Sequence, residues 1–375
     1  MIYLDNAATS YPKPQNVLAA VNAAGKNFSF NSGRGGYAES VKTAEKIFDV
    51  RKSLSDLFHA QPQNIAFTNN CTAALNTAIK GLIKPGDHVL ISSLEHNAVL
   101  RPVFKLQKQG LIHYDVIPYS PDADTFLAQI RKMEKPNTRM VVMLYASNVF
   151  GVVNPVQQVG AYCKEKGWYF VLDVAQSAGI LPVDMEQNNV TALCAPGHKG
   201  LYGMMGTGFV ALQDGILPNS LFEGGTGSNS YDPEQPDFLP DRLEAGTLNN
   251  PGILSLGAGV QFINKKGMQW IHKQEMRLIA YLYEELKQMK DVTLYVPLEE
   301  MHVPVLSFNL KDYSSEEVAS RLAQRHIAVR AGYHCAPSAH TFFGTGDRGT
   351  VRISPSVFTS FKECEFFLNS VKIID

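Results

Sequence analysis

The chain lacks most of the features that would classify it at a glance. It has five cysteines in 375 residues, at positions 71, 163, 194, 335 and 364, with no CxxC pair and no Cys/His pattern of metal-ligand spacing. An odd, scattered set excludes a disulfide framework, leaves no metal site to expect, and suits a reducing cytoplasm. Neither sign of charge is in excess. Lys plus Arg is 34, Asp plus Glu is 35 and the net charge is -1, which gives no electrostatic footprint for nucleic acid or an anionic membrane. Long apolar runs are missing too: the uncharged stretches 140–163 and 245–264 are broken by Asn, Ser, Gly and Pro, so neither reads as a membrane span. The start, MIYLDNAATSYPKP, has no basic segment followed by an apolar one, so no signal peptide is expected. No internal repeat or low-complexity tract is evident. What is present is ordinary: 45% hydrophobic and 18% charged residues, the composition of a soluble globular protein. At about 150 residues per domain the length suggests two or three domains.

Between residues 64 and 213 short apolar runs alternate with helical patterns. Strands are expected at 65–68, 88–92, 112–118, 141–145 and 169–173, and helices at 72–82, 98–109, 124–134 and 156–166. Such alternation argues for an α/β fold with a mostly parallel central sheet covered by helices on both faces. Ligands of these sheets lie in the loops at the carboxyl ends of the strands, which places 68–72, 93–96, Asn148 and 173–176 on one rim. Residues 223–246 are rich in Gly, Pro, Asn and Asp and read as a long functional loop with room for a hairpin. After Pro251 come a charged helix at 268–289 and strand–helix–strand signals at 305–309, 315–326 and 327–330, a smaller α+β domain. The expected division is a large domain over 15–262 and a small one combining 1–14 with 263–375.

The most informative segment reads VLDVAQ at 171–176 and then APGHKGLYG at 195–203. Asp173 ends a buried strand, and Lys199 follows 26 residues later in a Gly-flanked turn. Pyridoxal phosphate chemistry needs this pair: an amine that condenses with the aldehyde, and a carboxylate that keeps the pyridinium nitrogen protonated so that the ring acts as electron sink. Either residue alone would read as a solvated side chain. Thr68 to Ala74 follows a strand and opens a helix, where free N–H groups favour a phosphate, although simple N-capping explains Asn70 and Thr72 equally. Glu95-His96 again follows a strand. A His there can stack on a planar cofactor and assist proton transfer, or be a structural residue. A dinucleotide-binding protein is a rival at the level of the fold, but no GxGxxG follows the first strand; Gly203, Gly206 and Gly208 stand in the wrong order.

At this point the chain resembles the fold-type I pyridoxal phosphate enzymes of the class V aminotransferase superfamily, within the group of cysteine desulfurases and selenocysteine lyases. The resemblance runs nearly end to end. It is carried by Tyr3-Leu4-Asp5-Asn6-Ala7-Ala8-Thr9, Ser32-Gly33-Arg34-Gly35, Glu95-His96, Ser147-Asn148-Val149-Phe150-Gly151, Asp173-Val174-Ala175-Gln176 and Gly197-His198-Lys199. Glu244-Ala245-Gly246-Thr247 and Arg330-Ala331-Gly332-Tyr333-His334-Cys335-Ala336 complete it, in family order. The resemblance implies roles. Lys199 would be the cofactor lysine, Asp173 the pyridinium partner, His96 the stacking ring and Gln176 the partner of the ring hydroxyl. Thr72 and His198 would hold the phosphate, with Cys71 beside them, and Thr247 would reach a phosphate across a homodimer interface. Asn148 and Arg352 would grip the substrate α-carboxylate, a task for a bidentate guanidinium, with Arg330 nearby.

Cys335 selects the reaction. In the family's desulfurases a Cys here takes the substrate sulfur as a persulfide and leaves alanine. That route needs a thiolate, and the sequence places Arg330 and His334 where they could favour one. Cys163, Cys194 and Cys364 lie in apolar patterns and read as small hydrophobes. The 17 residues from Cys335 to Arg352 fit the second desulfurase group, whose catalytic loop is short. The implied activity is conversion of L-cysteine to L-alanine, with a protein sulfur acceptor as partner. Alternatives are a selenocysteine or cysteine-sulfinate lyase, a transaminase or epimerase, and a non-catalytic sulfur-trafficking protein on the same fold. The chain departs from the family pattern at Pro196 (usually Ser or Thr), an extra Gly200, Cys71 (usually Thr), Ala73 (commonly Glu) and Tyr333 (often His).

Overall fold

A computed structural model of the protein describes residues 1–33 and 35–374. Arg34 of the early Arg-Gly segment lies outside the described residues. The chain opens with a short strand, β1 (Ile2–Tyr3), and two helices that the sequence patterns did not single out, α1 (Gln15–Asn27) and α2 (Ala38–Phe58). The expected alternation follows: β2 (Ile65–Thr68), α3 (Cys71–Leu82), β3 (His88–Ser92), α4 (Asn97–Lys108), β4 (His113–Ile117), α5 (Ala123–Met133), β5 (Thr138–Leu144), α6 (Val156–Lys166) and β6 (Tyr169–Asp173). Two further strands, β7 (Ala192–Pro196) and β8 (Gly208–Leu212), complete a seven-stranded sheet in the order β2-β8-β7-β6-β5-β3-β4. The pairs β4-β3, β3-β5, β5-β6 and β6-β7 are parallel, and β8 runs antiparallel to both β7 and β2.

The apolar runs are continuous because both faces of this sheet are covered. Val141, Met143, Phe170 and Leu172 belong to one core, while Met140, Val142 and Val171, one residue out of step, belong to another on the opposite face. Parallel pairing brings the carboxyl ends of β3, β5, β6 and β7 to one rim, so the loops carrying His96, Asn148, Asp173 and Lys199 converge there.

The remaining chain adds α7 (Asn250–Lys266), α8 (Met268–Lys287), β9 (Val292–Leu294), β10 (Leu306–Leu310), α9 (Ser315–Gln324), β11 (Ile327–Ala328), β12 (Arg330–Gly332), α10 (Pro337–Phe342), β13 (Thr350–Ile353) and α11 (Phe361–Ile374). An antiparallel sheet in the order β12-β13-β10-β9 packs with α8, α9 and α11 around a third core. The single strand expected at 327–330 is two strands. β11 pairs with β1, and β12 joins the four-stranded sheet. The 223–246 segment is a long loop ending in a 3-10 turn, Asp241–Leu243, and carries no hairpin among the described residues; its Gly and Pro residues supply turn chemistry without the alternating apolar positions that strands need. No described helix is long and apolar enough to cross a membrane.

Candidate active site

A cavity of about 200 Å³ opens at the rim. Asp173, the last residue of β6, is 4% exposed beneath it. One of its oxygens, Oδ1, accepts the Ala175 N–H at 2.8 Å and faces the Cys71 thiol at 3.5 Å. Burial raises the Asp173 pKa, while the Ala175 hydrogen bond and the charge of Lys199 work against that rise. Burial likewise depresses the Lys199 ammonium, and Asp173 opposes it. Each charge therefore supports the other where neither is well solvated. Burial lifts the Cys71 thiol well above its usual value, so Cys71 serves here as a neutral donor.

Lys199 sits in a tight turn after β7, closed by Gly203 N–H to the Gly197 carbonyl at 2.7 Å and Tyr202 N–H to the Lys199 carbonyl at 2.9 Å. The extra Gly200 has a steric reason: a Cβ there would lie 2.3 Å from the Ala178 carbonyl oxygen. The carbonyl of His198 is tied to the amino-terminal segment by four donors: Thr9 Oγ1 at 3.1 Å, Ser10 N at 3.1 Å, Ser10 Oγ at 3.2 Å and Lys13 Nζ at 2.9 Å. Burial brings Lys13 down to about 8.

His96 caps α4, its Nδ1 accepting the Ala98 N–H at 3.0 Å. That bond leaves the proton of the neutral ring on Nε2. Burial, reinforced by the nearby Lys199 and Arg side chains, lowers its pKa to about 4, so the ring is neutral at physiological pH. Burial also takes His198 to about 4, and its Nδ1 is buried without a partner. Asn70 caps α3 by accepting the Ala73 N–H at 2.9 Å, and the N–H groups of Cys71 and Thr72 carry no partner among the described residues. A helix start of this kind offers donors to an anion. Gln176 borders the cavity, with its amide nitrogen donating to the Ala7 carbonyl at 3.0 Å.

Asn148 joins this cavity to the Cys335 loop. Its Nδ2 donates to the His334 carbonyl at 2.7 Å, and its own carbonyl accepts from Arg352 Nη1 at 2.9 Å. Cys335 is the only exposed one of the five free cysteines; the other four are buried. Both His334 (φ 48°) and Cys335 (φ 58°) are left-handed, an arrangement that costs energy in non-glycine residues and concentrates at functional loops. The Cys335 carbonyl accepts the Asn97 N–H at the start of α4 at 2.7 Å. His334 does not supply the positive charge expected of it. Its ring is 5% exposed and bonded to Thr350, and burial drives its pKa to about 2, so it is neutral. Arg330 is exposed and faces Arg352 across the β12–β13 ladder.

Thr247 lies apart from the Lys199 cavity. It lines a second, more open cavity of about 630 Å³ together with Arg51 and Glu244. Arg51 and Glu244 form a buried ion pair, 2.5 Å apart and each 7% exposed. Glu244 also accepts the Phe67 N–H at 2.6 Å, which fixes the Thr247 loop to β2. Sequence reasoning passed over Asp5, Lys13, Arg51 and the capping duty of His96. Asp5 lies inside a quoted motif, but its partner Arg352 is 347 residues away, and no local pattern reports such a pairing.

The arrangement has known relatives. A probable cysteine desulfurase from Pyrococcus abyssi is 33% identical, with 98% of this chain and 92% of that protein aligned. A cysteine desulfurase from Salmonella agona is 30% identical over 92% of this chain and 86% of the relative. The apo structure of a cysteine desulfurase from Thermococcus onnurineus superposes with a TM-score of 0.92 at 31% identity, covering 100% of this chain and 94% of that one. The family model for class-V aminotransferases matches residues 2–367. By that match, and with the parallel sheet and the Lys–Asp rim described above, the chain belongs to the aminotransferase class-V family.

Proposed function

We propose that the protein is a pyridoxal phosphate-dependent cysteine desulfurase that converts L-cysteine to L-alanine and takes the sulfur as a persulfide on Cys335. The observation that carries this reading is one hydrogen-bonded path from the Lys199–Asp173 cavity through Asn148 to the exposed Cys335. The relatives named cysteine desulfurase support it.

The residues present fit the cofactor. The unpartnered Nδ1 of His198 and the free N–H groups of Cys71 and Thr72 offer what a phosphate requires, and they make good the donor that Pro196 cannot supply. His96 borders the same cavity as a neutral ring suited to stacking, and Gln176 would serve the ring hydroxyl. Once bound, pyridoxal phosphate supplies an electron sink for the substrate's α-carbon. Asp173 would hold a proton on the ring nitrogen. Lys199, with its depressed ammonium, would remove the α-proton at Nζ. Arg352 and Asn148 would orient the α-carboxylate, with Arg330 beside them. Cys335 Sγ would form the S–S bond as the substrate's C–S bond breaks, and a thiol of a protein acceptor would then accept the terminal sulfur.

We also infer a homodimer in which Thr247 reaches the partner's phosphate, a large domain over 15–262, and a small domain of 1–14 with 263–375. Five free cysteines support a reducing, cytoplasmic setting. The test is incubation of purified protein with L-cysteine, measuring alanine and protein-bound persulfide. Equimolar alanine and sulfur, lost in Cys335→Ser, are expected. Full activity in Cys335→Ser would end the persulfide route, and loss of selenocysteine turnover as well would separate a desulfurase from a lyase. Absence of a visible chromophore in cofactor-supplemented wild type would end the cofactor assignment.

A further inference from the structure

Arg352 stands in β13 with its side chain 3% exposed. Its five N–H donors are only partly used. Nη2 donates to Asp5 Oδ1 at 2.7 Å, Nη1 donates to the Asn148 carbonyl at 2.9 Å, and the buried Nε has no partner. Nε–H and one hydrogen on each Nη therefore remain, enough for a two-point grip on one more carboxylate.

Asp5 is built in as a fixed anchor. The Leu4 N–H reaches the Ala328 carbonyl at 2.9 Å, the Asn6 N–H reaches the Ser354 carbonyl at 3.1 Å, and the Ser354 N–H reaches the Leu4 carbonyl at 2.7 Å. The backbone on either side of Asp5 is thus held by the strand that follows Arg352 and by β11, and the carboxylate has little freedom to leave the guanidinium. The surrounding charges point the same way. Arg330 stands opposite Arg352 across the ladder, so two guanidinium groups face a single structural carboxylate. A substrate carboxylate would complete the balance at two against two.

We propose that Asp5 is a positioning residue for substrate α-carboxylate recognition. It clamps one edge of the Arg352 guanidinium, so that the free edge is presented to the incoming amino acid. The inference rests on the reading of Arg352 as the α-carboxylate site. It assigns a role to the amino-terminal segment that the cofactor chemistry does not require, and it limits substrates to those bearing a carboxylate.

The test compares three ligands on the wild-type holoenzyme and on Asp5→Asn, which keeps size and shape. The first is L-cysteine, followed by alanine release. The second is cysteamine, which has the amine and thiol without the carboxylate, followed by spectral titration. The third is 3-mercaptopropionate, which has the carboxylate and thiol without the amine, followed by calorimetry. In Asp5→Asn the KM for L-cysteine is expected to rise about tenfold with kcat changed less. Affinity for 3-mercaptopropionate falls by a similar factor, and the cysteamine titration does not move. Asp5→Glu, which keeps the charge, recovers part of the loss. An unchanged KM overturns the proposal. A lowered KM also overturns it, because Asp5 would then be competing with substrate. An equal shift for cysteamine overturns it by revealing general damage. Calorimetry with 3-mercaptopropionate needs no condensation with a cofactor, so it judges the Asp5–Arg352 site even if the cofactor assignment fails.

Discussion

The side-chain amide of Asn148 donates to the carbonyl of His334 at 2.7 Å. A residue at the rim of the Lys199 cavity thereby holds the backbone immediately before Cys335. Replacing Asn148 with Ala releases that carbonyl and lets the Cys335 loop drift. Small misplacements of a reacting group cost up to about 100-fold in rate. Asn148→Ala is expected to lower the rate of persulfide formation at least about tenfold while the visible spectrum of bound cofactor persists. Single-turnover persulfide labelling measures the first and absorbance the second.

His96 has two separable duties, capping α4 and presenting a neutral ring. His96→Ala removes both and should cost about 1 kcal/mol of stability for the lost cap. His96→Asn restores a capping side chain without the ring, so denaturant unfolding should return close to wild type while turnover stays low. If both variants unfold alike, the cap contributes nothing.

Two buried carboxyl groups make stability depend on pH. Burial raises Glu95 from 4.5 to about 8, and does the same to Glu275. Below the unfolded value both states hold the proton. Between there and the folded value, the unfolded chain has released a proton that the folded chain keeps, so stability falls as pH rises through this window, by up to about 1.4 kcal/mol per pH unit for each group. Glu95→Gln and Glu275→Gln should each flatten the slope between about pH 5 and 8, as read by urea unfolding at several pH values.

The Arg51–Glu244 pair permits a double-mutant test. Arg51→Ala leaves Glu244 buried and unpaired, with an expected loss of about 3–5 kcal/mol. Replacing both residues by apolar ones, as in Arg51→Met with Glu244→Leu, should cost much less. The Phe67 N–H also loses its acceptor in the double variant, so some loss should remain.

A fifth expectation concerns close approach. A Cβ on Gly259 of α7 would lie 1.9 Å from the Leu201 carbonyl in the Lys199 turn. Gly259→Ala must push α7 away from that turn, at about 1–3 kcal/mol or more. Thermal unfolding reads the cost, and a shift in the bound cofactor's absorbance reads the displaced lysine.

Strands and helices between residues 64 and 173 were legible because their periodicity is local. Strands 65–68, 88–92 and 169–173 and helix 156–166 agree with the observed bounds, and the other elements there fall within a few residues. Asp173 and Lys199 stood out because each ends or follows a strand of the same buried sheet. What stayed hidden is long-range: β1 against β11, Asp5 against Arg352, Arg51 against Glu244. The charge of His334 was misjudged for a related reason. Its position beside Cys335 is visible in sequence, but the burial that neutralises it is made by Thr350, Arg352 and His340, residues of the neighbouring strand and helix.

The pairing of the first residues with the last carries a consequence for biosynthesis. A ribosome exposes residues 2–13 before anything else, but their partners β11 and Arg352 emerge only near the end of synthesis. The seven-stranded sheet, complete by residue 212, can form while this leading segment is still unpaired. A nascent chain therefore presents the lysine cavity before its substrate clamp exists, and competence toward amino acids arrives with the last few dozen residues.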